Sequence, residues 1–412
     1  SGWVTSTSPV LAGSSITITG TGFTTATTAA INGTALTSFA KSGDTTITGV
    51  VAAGTTSGTL SVTSPSGTTY STSIFQVVQA PPTITSLSVA SAAYGDTVTI
   101  TGTFLTKATS VKFHGTDAAS YTVAADGLTI AAVVPVGATT GTIEVVTPGG
   151  TATSTSLTIL APVITSFTPT SGPVGTTITI TGTYLTGVSA VTLNGAPVGL
   201  FQVNNSTKIT ALVPTGATTG QIAVASAAGS ANTSALTPST FTVIGAPTIT
   251  SLSTSSAKPG TTVTVTGTNF GTGATSWLTS VTMGGIPVTA TYVSATSFTF
   301  VIPSTAVTGL VQATNAGGTA SSTALTVLAP NPSITGFTPS SGYVGQPVTI
   351  SGDNLSNVTS VVFNGGSASA SIVGNTATSV TVYVPAGATT GTVSVTTGNG
   401  GGTATSSASF TV

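Results

Sequence analysis

The chain repeats one block five times from end to end, and that repeat constrains its fold more than any other feature. The block reads roughly P-x-I-T-S, then G-x-x-V/I-T-I-T-G-T, then V-x-F-N-G, then V-P-x-G-A-T-T-G-x-V-x-V, and it returns about every eighty residues. The glycine that closes its T-I-T-G run falls at Gly20, Gly102, Gly182, Gly267 and Gly352. Each copy is long enough to bury a modest core of its own, and no segment outside the copies is left to form a catalytic domain. A chain of one small module points to reach, spacing or assembly.

Composition narrows the partners. Charged residues make up 3% of the 412, against about a quarter in an ordinary globular protein. There is no arginine, and the formal net charge is −1. A few scattered lysines form no basic patch, which excludes nucleic-acid binding. Hydrophobic residues, at 39%, recur with strand-like order, so the low charge does not signal disorder. Near-zero charge also removes the repulsion that keeps copies apart, and a Thr-rich surface lacks the charged residues that blunt sheet edges. Both features fit self-association, and the equal alternative is a Ser/Thr surface kept apart by its own hydration, especially if glycosylated. Cysteine is absent, so neither disulfides nor thiol chemistry is available. No apolar run reaches membrane-spanning length. No signal-peptide pattern opens the chain, and Ser1 already stands at the start of a copy, which reads as a processed or trimmed product.

The third copy shows the internal logic. Residues 162–169 read as a strand ended by Pro169, and S-G-P-V-G at 171–175 as a turn. In T-T-I-T-I-T-G at 176–182, Thr alternates with Ile, the two-residue period of a strand with one buried face. Residues 190–198 read as a hairpin turning at Asn194-Gly195. Two further strands follow at 208–214 and 220–226, and 239–243 closes the copy. About seven short strands with frequent turn signals and no helical window give an all-β chain of five tandem immunoglobulin-like β-sandwiches. The expected boundaries are 1–80, 81–161, 162–246, 247–330 and 331–412. Short Pro-containing junctions at 79–82, 161–162, 245–247 and 329–332 limit the swing of one copy on the next. The expected shape is therefore an elongated rod, on the order of 200 Å long at ~3.3 Å per strand residue.

The hairpin position recurs as Asn32-Gly33, His114-Gly115, Asn194-Gly195, Gly284-Gly285 and Asn364-Gly365. Type I′ turns need positive φ at both central residues, which Asn and Gly tolerate best. The only histidine, His114, thus stands at a turn tip rather than in a catalytic or ligand position.

The stretches I-T-S-F-T-P-T-S-G-P-V-G-T-T-I-T-I-T-G-T-Y-L (164–185) and I-T-G-F-T-P-S-S-G-Y-V-G-Q-P-V-T-I-S-G-D-N-L (334–355) resemble the opening of an IPT/TIG domain. The V-Y-V-P-A-G-A-T-T-G segment (382–391) is similar to that family's second half. The resemblance covers the whole chain and implies an immunoglobulin-like fold. It implies no common active site. Transcription-factor members use Arg-rich loops on DNA, which this chain lacks, whereas bacterial surface members build stalks, adhesins, filaments and spacers. The first copy departs from the pattern, with Ala52 where the others carry Pro135, Pro214, Pro303 and Pro385.

The acids Asp44, Asp96, Asp117, Asp126, Glu144 and Asp353 are scattered, and the third and fourth copies have none. They show neither a paired-carboxylate constellation nor EF-hand spacing, so neither catalysis nor a cofactor is expected. Only Asp117 and Asp126 fall close enough in one copy to suggest a cation site, and a solvated loop pair is the plainer reading. Two aromatics stand out. Trp277 lies in a loop insertion at 270–280 unique to the fourth copy, where it either folds back on its own module or contacts a sugar or neighbour. Trp3 lies on the first strand, as a core cap or an interface residue. N-x-S/T sequons occur at Asn32, Asn204, Asn205, Asn232, Asn354 and Asn357, and O-linked sugar on the abundant Thr is equally open.

The expected function is a non-enzymatic extracellular or cell-surface structural protein that polymerises end to end with its own copies into a filament, stalk or surface layer. The alternatives are an adhesin or glycan-binding surface protein, and spacer modules of a larger polysaccharide-acting protein.

Overall fold

A computed structural model describes residues 4–5, 9–367 and 369–412. Trp3 lies outside the described residues. The chain divides into two compact units, one formed by Ser1–Thr170 and Gly175–Thr242, the other by Ser171–Val174 and Val243–Val412.

Within the first unit, the segment after the first Pro-containing junction gives the clearest view of the sandwich. Its strands are β1 (Thr83–Leu87), β2 (Ser91–Ala92), β3 (Thr97–Thr103), β4 (Ser110–Phe113), β5 (Thr116–Asp117), β6 (Ser120–Val123), β7 (Thr129–Val133), β8 (Gly141–Thr147) and β9 (Gly150–Ile159). One sheet runs β1-β3-β7-β6 and the facing sheet β2-β9-β8-β4-β5. Thr/Ile alternation explains the layers. On β3, Val98 and Ile100 point inward while Thr97 and Thr99 face out, and on β7 the buried partners are Ile130 and Ala132. The second sheet answers with Val111, Phe113, Ile143, Val145, Leu157 and Ile159. Each such side chain contributes about 1.5–3 kcal/mol by leaving water.

The same order of strands recurs along the chain. In the first unit it recurs over Val163–Asn232, with sheets Val163–Thr168, Thr177–Thr183, Lys208–Leu212, Phe201–Asn205 and Ala196–Pro197, Ala190–Leu193, Ile222–Ser226, Gly229–Asn232. Residues 10–78 build a separate core around Ile16, Ile18, Ile31, Ile47, Leu60 and Phe75. In the second unit, Phe270 meets Phe298 edge-on at 4.8 Å in one core, and Phe363 meets Phe410 at 5.2 Å in the other.

The T-I-T-G glycine has a steric cause. β1 carries an irregularity between Ile84 and Ser86 that presses Thr83 O toward β3. A Cβ on Gly102 would lie 1.9 Å from that oxygen, and one on Gly182 1.9 Å from Val163 O. The corresponding distances are 1.8 Å for Gly267 to Thr248 O and for Gly352 to Ser333 O. Only glycine fits where two backbones approach this closely.

The structure departs from the sequence reading in several places. Phe201–Asn205 and Gly229–Asn232 are strands, though neither was expected. Gly229–Asn232 carries only small or polar residues, so no apolar alternation marks it, whereas in Phe201–Asn205 the half-buried Phe201 and Val203 alternate with exposed Gln202 and Asn204 over too short a run to stand out. The segment that reads as a turn in the third copy corresponds to β2 in the second, which pairs in parallel with the end of β9. Phe23–Thr25 forms one short 3-10 turn in a chain expected to have no helix. The insertion at 270–280 is a hairpin of Gly271–Thr272 and Thr275–Ser276, not an open loop.

Gly182→Ala is expected to destabilise its sandwich by about 3 kcal/mol, because the methyl must displace backbone. Gly199→Ala, where nothing lies within 4 Å, should stay within ~0.5 kcal/mol. Thermal unfolding of the two variants decides, and equal melting would refute the steric reading.

Candidate functional site

The acids mostly serve local structure. Asp44 accepts from Gly22 N at 3.0 Å, Thr24 N at 3.1 Å and Thr24 Oγ1 at 2.5 Å, capping the Phe23–Thr25 turn. The Thr24 hydroxyl first, then the Gly22 and Thr24 amides, hold its carboxyl below the ordinary value. Asp96 accepts from Ala93 N, Asp126 from Leu128 N and Asp353 from Ser333 Oγ. Asp117 pairs with Lys112 at 2.6 Å, so it and Asp126 have separate partners. Among the described residues no three His, Cys, Asp or Glu side chains gather to hold a metal.

His114 belongs to a latch that the sequence shows in two separate motifs. The five hairpin tips all have positive φ at both central residues, from 43° at Asn364 to 88° at Gly115. From that tip the first residue reaches the A-T-T-G motif. Asn32 Nδ2 donates to Thr56 Oγ1 at 2.7 Å, and Asn194 to Thr218 and Asn364 to Thr389 at 2.8 Å. In the same place His114 Nδ1 and Thr139 Oγ1 share a hydrogen bond at 2.9 Å, whose donor is set by the imidazole tautomer. The motif glycine leaves room for the latch. A Cβ on Gly220 would fall 2.3 Å from Asn194 Cβ, and one on Gly141 2.3 Å from His114 Cγ. The motif's second hydroxyl accepts from the closing strand, as Thr140 does from Ile159 N at 3.0 Å and Thr390 from Val412 N at 3.0 Å. In the fourth copy both partners change together, to Gly284 and Val307. Sequence reading named the turn but missed its partner, although this paired change was visible.

The sequon asparagines are all exposed. Asn32 and Asn354 use their amide nitrogens, on Thr56 and on Asn331 O at 2.8 Å. Asn204, Asn205 and Asn232 accept through Oδ1, from Thr210, Thr207 and Ser234 respectively. Asn357 lies outside the strands, and its carbonyl accepts from Gly398 N. Trp277 follows the insertion hairpin and is half-buried. The hairpin rests on its own sandwich, with Tyr292 Oη donating to Gly273 O at 3.3 Å.

Within each unit, the tip between the counterparts of β2 and β3 of one sandwich meets the next sandwich. At the first junction the bond comes from the other side, where Lys107 Nζ, in the loop between β3 and β4, donates to Gly54 O of the preceding module at 3.2 Å. The Tyr94 ring lies where a Cβ on Gly187 would come within 2.7 Å. In the second unit Lys258 Nζ donates to Gly401 O at 2.9 Å and to Asn331 Oδ1. Lysines that look scattered in the sequence thus bind carbonyls of the neighbouring module.

Beside the linker, the residue two after the T-I-T-G glycine is left-handed at every copy: Gly22 (84°), Phe104 (57°), Tyr184 (58°), Asn269 (60°) and Asn354 (59°). The asparagines use it well, donating to Ala246 O at 2.7 Å and Asn331 O at 2.8 Å.

Two outcomes are expected. Asn194→Gly and Thr218→Val should each destabilise, but the double variant, which reproduces the fourth copy, should recover about 0.5–1.5 kcal/mol, and additive thermal shifts would refute the latch. Asp44 has a lowered folded pKa, so the stability it supplies is full above its unfolded value of 3.8 and is lost as pH falls from there through the folded value. Asp44→Asn should therefore flatten the acid limb of first-sandwich unfolding, and an unchanged limb would contradict this.

A search of curated proteins finds no match. Among solved structures, a protein crystallised with a xylogluco-oligosaccharide is 21% identical over 68% of this chain and 71% of its own, with a TM-score of 0.24. SGBP-B from a complex xyloglucan utilization locus in Bacteroides uniformis is 25% identical over 47% of this chain and 57% of its own, with a TM-score of 0.21. The plexin A4 extracellular region is 14% identical over 96% of this chain and 43% of its own, with a TM-score of 0.25. Superpositions this loose carry no argument about function. The IPT/TIG domain family model matches residues 82–160, 162–243, 247–328 and 332–412, well over half of the sequence. The chain is a tandem array of immunoglobulin-like sandwiches and belongs to the IPT/TIG domain family.

Proposed function

We propose that the chain is a non-enzymatic extracellular structural protein that joins end to end with further copies of itself. In this reading residues 1–80 are a divergent fifth module ahead of 81–161, 162–246, 247–330 and 331–412.

One observation carries the proposal. The tip that engages the next sandwich through Tyr94 and Lys258 is occupied in the sandwich of residues 331–412 by Tyr343 and Val344, which are 74% and 48% exposed. A large aromatic beside a valine on an almost uncharged surface is the make-up of an interface core. Docking the first sandwich of a second copy there would repeat the internal junction between chains, a heterologous contact that propagates as an open fibre. Few charges oppose the approach.

Light scattering of the purified chain over a concentration series tests this. Mass should rise with concentration, and replacing Tyr343 and Val344 with serine should weaken association by about tenfold or more, equivalent to ~1.4 kcal/mol. A chain that stays monomeric throughout would overturn the proposal.

A further inference from the structure

Tyr184 is an aromatic in a conformation that suits it poorly. Its φ of 58° is the left-handed region, where bulky residues are outliers. Its counterparts Asn269 and Asn354 occupy the region comfortably and bond the linker, and Gly22 occupies it without strain. A tyrosine gains no such bond here, and its side chain remains 38% exposed. Backbone strain that neither capping nor full burial repays is found at binding sites. Phe104, at 57° and 57% exposed, repeats the departure at the preceding junction, where Lys107 and Gln79 are already bonded to Gly54 O and Thr55 O.

Tyr184 lines a cleft of about 380 Å³ between the second and third sandwiches of the first unit. The other walls carry the hydroxyls of Thr183, Thr186, Ser206 and Thr207 and the carboxylate of Asp96. Asp96 Oδ2 accepts from Ala93 N, which orients the group, and Oδ1 has no partner among the described residues. Two aromatic rings, the exposed Tyr184 and the largely buried Tyr94, with a row of hydroxyls, one fixed acceptor and no cation among them, match a ring that has an apolar face and a hydroxyl-bearing edge. The carboxylate disfavours anions.

We propose that this cleft binds a neutral pyranose unit of an oligosaccharide, stacked on Tyr184 and hydrogen-bonded to Asp96 and the surrounding hydroxyls. The site stands independently of end-to-end assembly, since the Tyr343 tip takes no part in it. Its position at a junction means that an occupied cleft also bridges two modules.

The test compares wild-type full chain with Tyr184→Asn and Asp96→Asn. Retardation in native gels containing hydroxyethylcellulose, galactomannan, arabinoxylan or starch reads binding, and thermal melting reads strain. Wild type should be retarded by at least one of these neutral polysaccharides, and both variants should lose most of the retardation. Tyr184→Asn should melt at or above the wild-type temperature, because asparagine suits the left-handed backbone; loss of binding with undiminished stability separates a site from a damaged fold. Retardation by none of the polysaccharides overturns the proposal, as does undiminished binding by Tyr184→Asn. A clearly lowered melting temperature for that variant would also overturn it, by making the ring a packing residue. Light scattering on the same samples shows assembly separately, so failure of either reading leaves the other standing.

Discussion

A carbonyl oxygen pressed against a glycine sets the geometry on which the rest of each sandwich depends. Thr83 O reaches Gly102 so closely that no side chain fits, and the same contact recurs at Gly182, Gly267 and Gly352. It fixes where the first strand crosses the second, and so where the linker enters. Two residues beyond the glycine the chain turns through the left-handed region beside that linker. The strand contact and the junction are therefore parts of one arrangement, carried by a single short motif.

Modules built this way repeat their scaffold and differ at the edges. The Asn–Thr latch survives the exchange of Asn for His114 because an imidazole nitrogen can stand where an amide nitrogen stood. In the fourth copy it is replaced on both sides together by Gly284 and Val307. The left-handed position varies differently. Asparagine there ties down the linker, whereas Phe104 and Tyr184 expose a ring at strained backbone. The first kind of change preserves a structural bond. The second gives one up, the kind of local departure expected where a surface serves something other than the fold. A chain this poor in charge has few other means of recognition, and it uses two of its lysines to hold neighbouring modules together.

Period-two alternation of Thr with Val or Ile made the core strands legible, and Asn-Gly at fixed offsets made the hairpins legible. Phe201–Asn205 was passed over although Phe201 and Val203 alternate with polar residues, because two half-buried side chains on an edge strand make only a short pattern. Gly229–Asn232 is made of small and polar residues, which read as loop. The sequence singled out Trp3 and Trp277; Trp277 is half-buried beside the insertion hairpin, while Tyr184 and Tyr343 are exposed at positions that sequence reading did not mark. Their significance lies in φ, exposure and the neighbouring module. Composition carries none of these, although aligning the five copies at the left-handed position would have shown aromatics replacing Gly and Asn.

We propose that the surfaces where sandwiches meet carry the chain's function, and that the sandwich of residues 331–412 presents such a surface to another copy. Electron microscopy of the unmodified chain at rising concentration tests this most directly. End-to-end docking predicts continuous fibres whose beads repeat without a break at chain boundaries. Separate single chains at every concentration would contradict it.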